Sequence, residues 1–386
     1  MKVKLSEAFD LQMGKTPARN DKTCWGMGYK WISISDIGNA GKYIDATKEE
    51  ITDVGVSKSG IKVVPKGTVI MSFKLSIGKT AITAEDMYTN EAIMAFINKE
   101  KYEIDTDYLY HMCKGIDWFE GTNKAVLGLT LNKATMSEKT IEIPPMEVQR
   151  RVVAVLDKMD ELITLRKEQL AKLDQLVKSR FIEMFGDIKT GDYKFETRKL
   201  GEVAEVSSSH RVFTTEFVEE GIPFYRGTEI GELANGIKPE NPYRITKEHY
   251  NRLASDETKP KIGDLLMPSI CNKGQVWMVD TDEPFYYKDG RVLCISPNRK
   301  LFNCKYLEQF MREKTLVEYP KLGSGSTFAE FKIFLLKDIE VLIPPMELQN
   351  QFATFVEQID KSKLAIQQSL DKLETLKKSL MQEYFG

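Results

Sequence analysis

The sequence Ile143-Pro144-Pro145-Met146-Glu147-Val148-Gln149 decides the fold, because it recurs as Ile343-Pro344-Pro345-Met346-Glu347-Leu348-Gln349. Consecutive prolines are excluded from the interior of a helix but fit its first turn, and an acidic residue there favours the positive end of the helix dipole. Each copy therefore predicts the start of a helix. A repeat of this length, followed by further matches in register, indicates two copies of one plan.

Apolar side chains follow each copy at alternating steps of three and four. The first copy has Val148, Val152, Val155, Met159, Leu162, Leu173, Val177, Phe181 and Met184, and the second has Leu348, Phe352, Phe355, Ile359, Ile366, Leu373, Leu376, Leu380 and Tyr384. This spacing is the a/d seam of a coiled coil, so we expect two helices of about 40 residues, roughly 60 Å long, whose seams pack together. Arg166 stands where the second copy has Ile366, an exchange that can fix register and partner choice.

The helices divide the chain into four segments. Residues 1–143 and 187–343 form two larger domains, and residues 144–186 and 344–386 form the helices. Short apolar runs broken by Gly, Asn and Pro predict strands, which makes both domains α+β. These runs are Val63 to Phe73, Ala92 to Ile97 and Val276 to Asp280.

Composition limits the function. The 386 residues include 55 Lys plus Arg and 57 Asp plus Glu, so no basic block marks a nucleic-acid coat. Only His111, His210 and His249 are available for histidine-based metal sites or catalysis. The five cysteines contain no Cys-x-x-Cys pair, and no stretch approaches about eighteen apolar residues. We therefore expect reduced thiols, no membrane span and a cytoplasmic location.

Two short motifs suggest chemistry only weakly. Gly78-Lys79-Thr80 resembles the end of a phosphate-binding loop, but Phe73 stands where that loop requires glycine, which disfavours nucleotide binding. Glu257-Thr258-Lys259 has the acid-x-lysine pattern of metal-dependent nucleases. Three residues of this kind occur by chance in a charged chain, so a solvated loop is the simpler interpretation.

Several motifs together resemble the specificity subunit of a type I DNA restriction-modification system. Met13-Gly14-Lys15-Thr16-Pro17 resembles the family's Gly-x-Thr-Pro opening of a target recognition domain, and the stretch from Met71 to Lys79 resembles its strand-turn element ending in Ile-Gly-Lys. The repeated heptapeptide resembles the start of both conserved helices. The resemblance spans the whole chain, although the second domain has Ser207-Ser208-Ser209-His210-Arg211 in place of Gly-x-Thr-Pro.

The resemblance implies a DNA-reading adaptor without catalysis of its own. Two α+β target recognition domains of mixed α/β type would each read half of a split target in double-stranded DNA. Two long helices forming an antiparallel coiled coil would join them in a pseudo-two-fold internal repeat. Two methyltransferase subunits and the restriction/translocase subunits would be the partners, and S-adenosylmethionine, ATP and Mg would belong to those partners. The residues assigned to partner binding are Met146, Val152, Met159, Arg166, Met346, Phe352, Ile359 and Ile366.

Three alternatives stay open. The chain is also compatible with the specificity subunit of a type IIB or IIG-like system, whose partner fuses methylation and cleavage. A stand-alone metal-dependent nuclease would use Glu257 and Lys259. A purely structural scaffold would account for the helices but leaves two large domains without a purpose.

The expected DNA contacts lie in loops that mix cations with hydroxyl and amide side chains, because phosphate contacts position a protein and base-edge contacts give sequence preference. In the first domain they are Lys15, Thr16, Arg19, Asn20, Lys22, Lys30, Ser33, Ser35, Lys74, Ser76 and Lys79. In the second they are His210, Arg211, Arg226, Thr228, Lys273, Gln275, Arg291, Ser324, Ser326 and Thr327. Arg19 is the one arginine of residues 1–143, so we expect amide or hydroxyl contacts, or few guanines, in that half of the target.

Overall fold

The computed structural model describes residues 1–74, 76–119, 131–254, 258–323 and 329–386. These residues form two compact units. Unit 1 consists of Met1–Glu168 together with Gln367–Gly386, and unit 2 consists of Gln169–Ile366. Both units mix helices and strands, as the apolar patterns predict.

Unit 1 combines short strands and helices with parts of two long helices. Its strands are β1 (Lys2–Lys4), β2 (Phe9–Met13), β3 (Trp25–Ile32), β4 (Tyr43–Ile44), β5 (Glu49–Ile51), β6 (Val69–Ser72), β7 (Thr80–Thr83), β8 (Tyr88–Thr89), β9 (Ile93–Asn98) and β10 (Thr140–Glu142). Its helices are α1 (Leu5–Ala8), α2 (Ile34–Asn39), α3 (Asp53–Ser59), α4 (Thr106–Gly115), α5 (Lys133–Glu138) and the first part of α6 (Met146–Phe185). The sheets have the orders β2-β9-β6-β7-β4, β5-β3-β8 and β1-β10.

The main sheet of unit 1 is covered on both faces. All four residues of β6 are buried, and successive side chains of a strand point to opposite faces. Val69 and Met71 join the larger core, which also contains residues of α4, whereas Ile70 joins a smaller core with Ala81 and Ala95. This two-sided burial explains why β6 is continuously apolar rather than alternating.

Unit 2 repeats this plan. Its strands are β11 (Gly186–Asp187), β12 (Asp192–Tyr193), β13 (Thr197–Lys199), β14 (Ala204–Ser208), β15 (Ile222–Tyr225), β16 (Tyr243–Ile245), β17 (Leu265–Pro268), β18 (Trp277–Met278), β19 (Tyr286–Tyr287), β20 (Val292–Pro297) and β21 (Glu340–Leu342). Its helices are α7 (Leu200–Val203), α8 (Gly227–Ala234), α9 (Lys247–Leu253), α10 (Cys304–Glu318), α11 (Ile333–Lys337) and the first part of α12 (Met346–Phe385). Its sheets have the orders β14-β20-β17-β18, β16-β15-β19, β13-β21 and β11-β12, so β14, β20 and β17 correspond to β2, β9 and β6.

The glutamine of the repeated heptapeptide holds the start of each long helix. In unit 1 the buried Gln149 accepts a hydrogen bond from Asp105 N at 2.8 Å and donates to the carbonyl oxygens of Glu103 and Pro144, both at 2.9 Å. The Asp105 side chain also caps α4. One buried amide therefore ties the beginning of α6 to the beginning of α4.

Gln349 makes the same hydrogen bonds in unit 2. It accepts from Asn303 N at 2.9 Å and donates to the carbonyl oxygens of Leu301 at 2.9 Å and Pro344 at 2.8 Å. Asn303 caps α10, as Asp105 caps α4. The glutamine recurs because an apolar residue in its place would leave three backbone groups around this buried position without their hydrogen-bond partner.

The predicted long helices are confirmed, and each has 40 residues. In unit 1, Asp160 of α6 pairs with Lys377 of α12, and Lys167 Nζ lies 2.9 Å from Glu374. Because the partner's number falls as the α6 number rises, the two segments are antiparallel.

The helix segments of unit 2 are also antiparallel. Lys363 Nζ lies 2.6 Å from Asp174 Oδ1, and the ring centres of Phe181 and Phe352 lie 5.5 Å apart. Phe181 and Phe352 belong to the main core of this unit. Part of the apolar seam is therefore absorbed into the core of the unit itself.

Burial changes the expectation for the residues assigned to partner binding. Val152, Met159, Phe352 and Ile359 are buried; Val152 belongs to the larger core of unit 1, and Phe352 belongs to the main core of unit 2. We therefore no longer expect these four side chains to contact another protein directly. The remaining four are half-buried, and partner binding at these positions stays a prediction: Met146, Arg166, Met346 and Ile366.

Candidate nucleic-acid interface

The loop after β2 begins at a fixed point of unit 1. Gly14 lies where a Cβ atom would overlap the carbonyl oxygen of Thr89, so the position requires glycine. The carbonyl of Lys15 accepts a hydrogen bond from Trp31 Nε1 at 3.0 Å, and its ammonium donates to two backbone carbonyls at the end of α3, at 3.1 and 3.2 Å. Lys15 is exposed, but it also holds the loop against α3.

Thr16 and Glu91 meet at the mouth of a cleft in unit 1. The Thr16 hydroxyl donates to the Glu91 carboxylate, and both residues line the cleft, of about 430 Å³, with Lys15. Partial burial opposes ionisation of Glu91, but the Thr16 hydrogen bond and the charges of Lys74 and Arg19 lower its pKa below the usual value. The cleft therefore presents an ionised carboxylate at neutral pH.

The rest of this loop carries exposed polar side chains. The Arg19 guanidinium lies 3.9 Å from the centre of the Trp25 ring, and its Nη1 atom is 2.5 Å from Glu49 Oε1. Asn20 and Lys22 are exposed. The structure thus brings Lys15 and Thr16 to the cleft and Arg19 close enough to Glu91 for its charge to act on that carboxylate, and contact of this stretch with DNA stays a prediction.

The second predicted stretch of unit 1 is partly committed to internal contacts. Lys30 pairs with Glu85 and donates to a backbone carbonyl at 2.5 Å. Ser33 caps α2: its amide and its hydroxyl both donate to Asp36 Oδ2, at 2.8 and 2.6 Å. Ser35 is exposed, with its Oγ 2.8 Å from that of Ser33. Of this stretch, Ser35 is the side chain most available to DNA.

The turn between β6 and β7 presents the third predicted stretch. Ser72 closes the turn, because its Oγ accepts from Lys79 N at 3.1 Å and donates to the carbonyl of Ser76. Gly78 has a φ of +87°, which favours glycine. Ser76 and Lys79 are exposed and Lys74 is half-buried, so the turn offers cations and a hydroxyl on a closed backbone.

In unit 2, the loop after β14 corresponds to the loop after β2 in unit 1. Ser209 Oγ donates to a backbone carbonyl of β19 at 2.5 Å, and His210 N donates to a tyrosine hydroxyl at 2.9 Å. Arg211 Nε lies 3.2 Å from Asp289 Oδ2, and the Arg211 side chain is 68% exposed. Arg211 is therefore well placed for the predicted contact with DNA.

Arg226 has a different environment from the one its sequence context suggested. Its Nε and Nη2 atoms donate to the two carboxylate oxygens of Glu229, at 3.2 and 2.7 Å, and its amide donates to the same side chain at 2.8 Å. The guanidinium also lies 4.5 Å from the centre of the Tyr243 ring. Arg226 is the N-cap residue of α8, and its Nε and Nη2 donors are used within the protein. Thr228, two residues later, is exposed.

Three further predicted residues of unit 2 lie in or beside turns. Lys273 is exposed, and its amide donates to Gln275 Oε1 at 3.1 Å. Arg291 is also exposed and lies 2.7 Å from Glu330 Oε2. Contact of these three residues with DNA stays a prediction.

Some predicted residues are not described by the structure. Ser324, Ser326 and Thr327 lie outside the described residues, as does Glu257 of the nuclease alternative. Lys259, its proposed companion, is exposed.

The structure adds acidic residues that sequence reasoning missed. Glu91 lies just before β9 and accepts a hydrogen bond from the loop after β2. Asp289 lies just before β20, the equivalent strand of unit 2, and accepts a hydrogen bond from the loop after β14. Their partners are distant in sequence, so no local motif marks them. The signal that could have found them is their shared position two residues after β8 or β19.

The buried histidine has a structural environment. His111 Nε2 lies 2.7 Å from Asp157 Oδ1, and Lys42 Nζ lies 2.7 Å from the other oxygen of the same carboxylate. Burial lowers the pKa of His111, so the ring is neutral at pH 7. Within the described ranges, no group of three or more His, Cys, Asp or Glu residues is placed to hold a metal ion, and no helix is long and apolar enough to cross a membrane.

Two copies of one α/β plan with different polar side chains in matching loops define a two-unit binding protein. A family model described as "Type I restriction modification DNA specificity domain" matches residues 1–175 and again residues 193–377. The chain therefore belongs to this family of DNA specificity domains.

Relatives in the family extend over most of the chain. The type I restriction enzyme MjaIX specificity subunit of Methanocaldococcus jannaschii is 24% identical over 402 residues, which covers 98% of this chain and 90% of the relative. A putative type I restriction enzyme specificity subunit of Haemophilus influenzae, S.HindORF215P, is 24% identical over 301 residues, covering 76% of this chain and 70% of the relative.

Solved structures share the fold. A chain from a study of complex assembly and conformational transition of the type I R-M system has a TM-score of 0.63 at 18% identity and covers 100% of this chain and 97% of its own. The crystal structure of the type I restriction-modification S subunit from M. genitalium has a TM-score of 0.53 at 14% identity, with 100% and 96% covered. At these identities the likeness concerns the fold alone.

Proposed function

We propose that this chain is the DNA specificity subunit of a type I restriction-modification system and reads a bipartite target in double-stranded DNA. The observation that carries the proposal is the family match to both copies, residues 1–175 and 193–377. Because the two copies keep one framework but differ in their loops, each would read its own half of the target. The recognition domains would be residues 1–143 and 187–343.

The charges of the chain suggest that partner subunits contribute to its affinity for DNA. Basic and acidic residues nearly cancel, at 55 and 57, and several of the exposed cations already face acids of this chain, among them Arg19 and Arg291. Release of counterions by cations is the main source of sequence-independent affinity for DNA. We therefore expect partner subunits to make many of the contacts with DNA phosphates, and this chain to select the bases.

The proposed partners are the other subunits of such a system. Two methyltransferase subunits would dock along the helices and domains, and restriction/translocase subunits would join them for cleavage. S-adenosylmethionine, ATP and Mg would be bound by those subunits, while this chain would contribute no catalysis. The complex would work in the cytoplasm, where it meets DNA.

The long helices would form one antiparallel coiled coil that acts as a spacer. Antiparallel contacts within each unit and the a/d spacing of both helices support this arrangement. A helix of 40 residues is roughly 60 Å long at about 1.5 Å per residue. A spacer of this length would relate the two half-sites to the duplex turn of about 34 Å.

A domain exchange tests the proposal. Residues 1–143 are replaced by the matching segment of a relative with a different target, the chain is co-expressed with its methyltransferase subunits, and the methylated positions of the host genome are sequenced. We expect one half of the methylated sequence to change and the other half to stay. Exchange of residues 187–343 should change the other half. An unchanged methylated sequence after both exchanges would contradict the proposal.

A further inference from the structure

Both units hold an acidic residue at one equivalent point of the fold. Glu91 lies between β8 and β9, and Asp289 lies between β19 and β20. The flanking strands correspond, because β8 and β19 pair in parallel with β3 and β15, and β9 and β20 pair antiparallel with β2 and β14. The acid is therefore part of the shared framework, although no sequence motif marks it.

The side chain that faces the acid differs between the units. Thr16 donates to Glu91, and Arg211 donates to Asp289. Each donor is the third residue after the end of its strand, β2 or β14, so the two donors are equivalent as well. The units thus share one acid–donor pair and vary its donor.

In unit 1 the pair presents a hydrogen-bond acceptor. A carboxylate has about four lone-pair sites, and the Thr16 hydroxyl occupies one of them. Glu91 is exposed at the cleft, and Lys74 and Arg19 offset part of its charge, which reduces its repulsion from nearby phosphates. In the major groove, an acidic side chain accepts a hydrogen bond from the N4 amino group of cytosine.

In unit 2 the pair of Arg211 and Asp289 presents a hydrogen-bond donor. The Arg211 side chain is 68% exposed and that of Asp289 18%, so the guanidinium faces solvent in front of the acid. Arg211 bonds to Asp289 through Nε, and its two terminal nitrogens form the fork that fits guanine O6 and N7. Arg226 differs, because both its Nε and Nη2 atoms are bound to Glu229.

We propose that Glu91 and Arg211 are specificity-determining residues at equivalent positions of the two half-sites, Glu91 selecting cytosine through its amino group and Arg211 selecting guanine through O6 and N7. Thr16 and Asp289 are positioning residues that orient these side chains. The inference rests on the proposed function and names the bases read at one point of each half.

The test uses the assembled complex with its methyltransferase subunits. Methylated positions are sequenced for E91Q and R211Q, and binding is then measured with duplexes that differ at one base pair. Glutamine both donates and accepts and suits adenine. We expect E91Q to lose cytosine preference at one position of the first half-site, and R211Q to lose guanine preference at one position of the second, each by about tenfold or more.

Thr16→Val adds a readout that distinguishes positioning from contact. It removes the hydroxyl donor but keeps the carboxylate, so the preference for cytosine should weaken at the same base pair that E91Q affects. If E91Q fails to assemble, E91D is measured instead, because it withdraws the carboxylate while keeping its charge, and it must affect that base pair too.

Matched controls are Glu138→Gln and Arg198→Gln, two exposed residues that pair with Lys4 and Glu196. They should leave the methylated sequence and single-base preferences unchanged. Unaltered preference at every position in the Glu91 and Arg211 variants would overturn the inference. If the domain exchanges still alter the methylated halves, only this inference fails; if the exchanges also have no effect, the proposed function fails.

Discussion

Gln149 of unit 1 and Gln349 of unit 2 make the same three hydrogen bonds, whereas the loops after β2 and β14 differ in sequence. Gly14 corresponds to Ser209, and Thr16 corresponds to Arg211. The buried glutamine has been kept in both copies, whereas the two loops have diverged both at the buried Gly14 and at the polar Thr16. The comparison separates support from recognition within one sequence.

The strongest test of the shared support removes the buried glutamines. Gln149→Leu and Gln349→Leu should each lower the free energy of unfolding by about 3 kcal/mol, because three backbone groups lose the hydrogen bonds of a buried side chain and each bond contributes about 1 kcal/mol. Urea unfolding measures the change. Gln351→Leu, at an exposed position of α12, should have little effect. Clearly unequal losses for the two buried glutamines would break the equivalence of the units.

A second pair of variants sharpens the difference between the loops. Gly14→Ala should destabilise unit 1 by about 2 kcal/mol, because the added methyl group overlaps the carbonyl of Thr89. Ser209→Ala should cost about 1 kcal/mol, the value of one hydrogen bond. Thermal and urea unfolding of both variants measure the two losses of stability and show which is larger. A larger loss for Ser209→Ala would show that the two loops are held in another way.

Acid should affect unit 1 through His111, for which unit 2 has Gln309 at the matching position of α10. Burial lowers the pKa of His111 in the folded protein below its unfolded value near 6.5. The unfolded chain then binds more protons, so stability is complete above that unfolded value and falls as the pH drops below it. We expect the free energy of unfolding to decrease from about pH 7 to about pH 5.5, and His111→Gln to flatten this slope. An unchanged slope in the variant would assign the effect to other groups.

The smallest effects should come from exposed ion pairs of the long helices. Lys167 pairs with Glu374 in unit 1 and Lys363 with Asp174 in unit 2, each with exposed or half-buried partners. Double-mutant cycles to alanine should give coupling energies of about 0.5 kcal/mol or less, since solvent screens such pairs. A coupling energy several times larger in one unit would indicate that its helix segments are held differently.

Much of the framework was predictable from the sequence. The prolines and the three-four spacing located α6 and α12 to within two residues; β6 lies in a run predicted as a strand, and β9 overlaps another and ends one residue beyond it. These elements are marked by local chemistry and period. The predicted run from Val276 to Asp280 gave only the two-residue β18, because β18 pairs with β17 over two residues alone.

The candidate site was harder to predict because its contacts join distant residues. The loop containing Lys15, Thr16 and Arg19 was found from composition, but Glu91 becomes its neighbour only through the pairing of β2 with β9. Arg226 was chosen for its polar context, yet it caps a helix through an acid three residues later. That spacing also suits a capping box, which only the backbone conformation distinguishes from an open loop.

The division of unit 1 into Met1–Glu168 and Gln367–Gly386 affects how the protein is made. Leu380, Met381 and Phe385 of the later segment pack against the core of unit 1. Ribosomes add about 5–20 residues per second, so the intervening unit 2 takes roughly 10–40 s to synthesise. During that interval the apolar surface of unit 1 that later receives the end of α12 is open to chaperones, whereas unit 2 has all of its own residues as soon as Ile366 is added. The half of the protein that is begun first is therefore the half completed last.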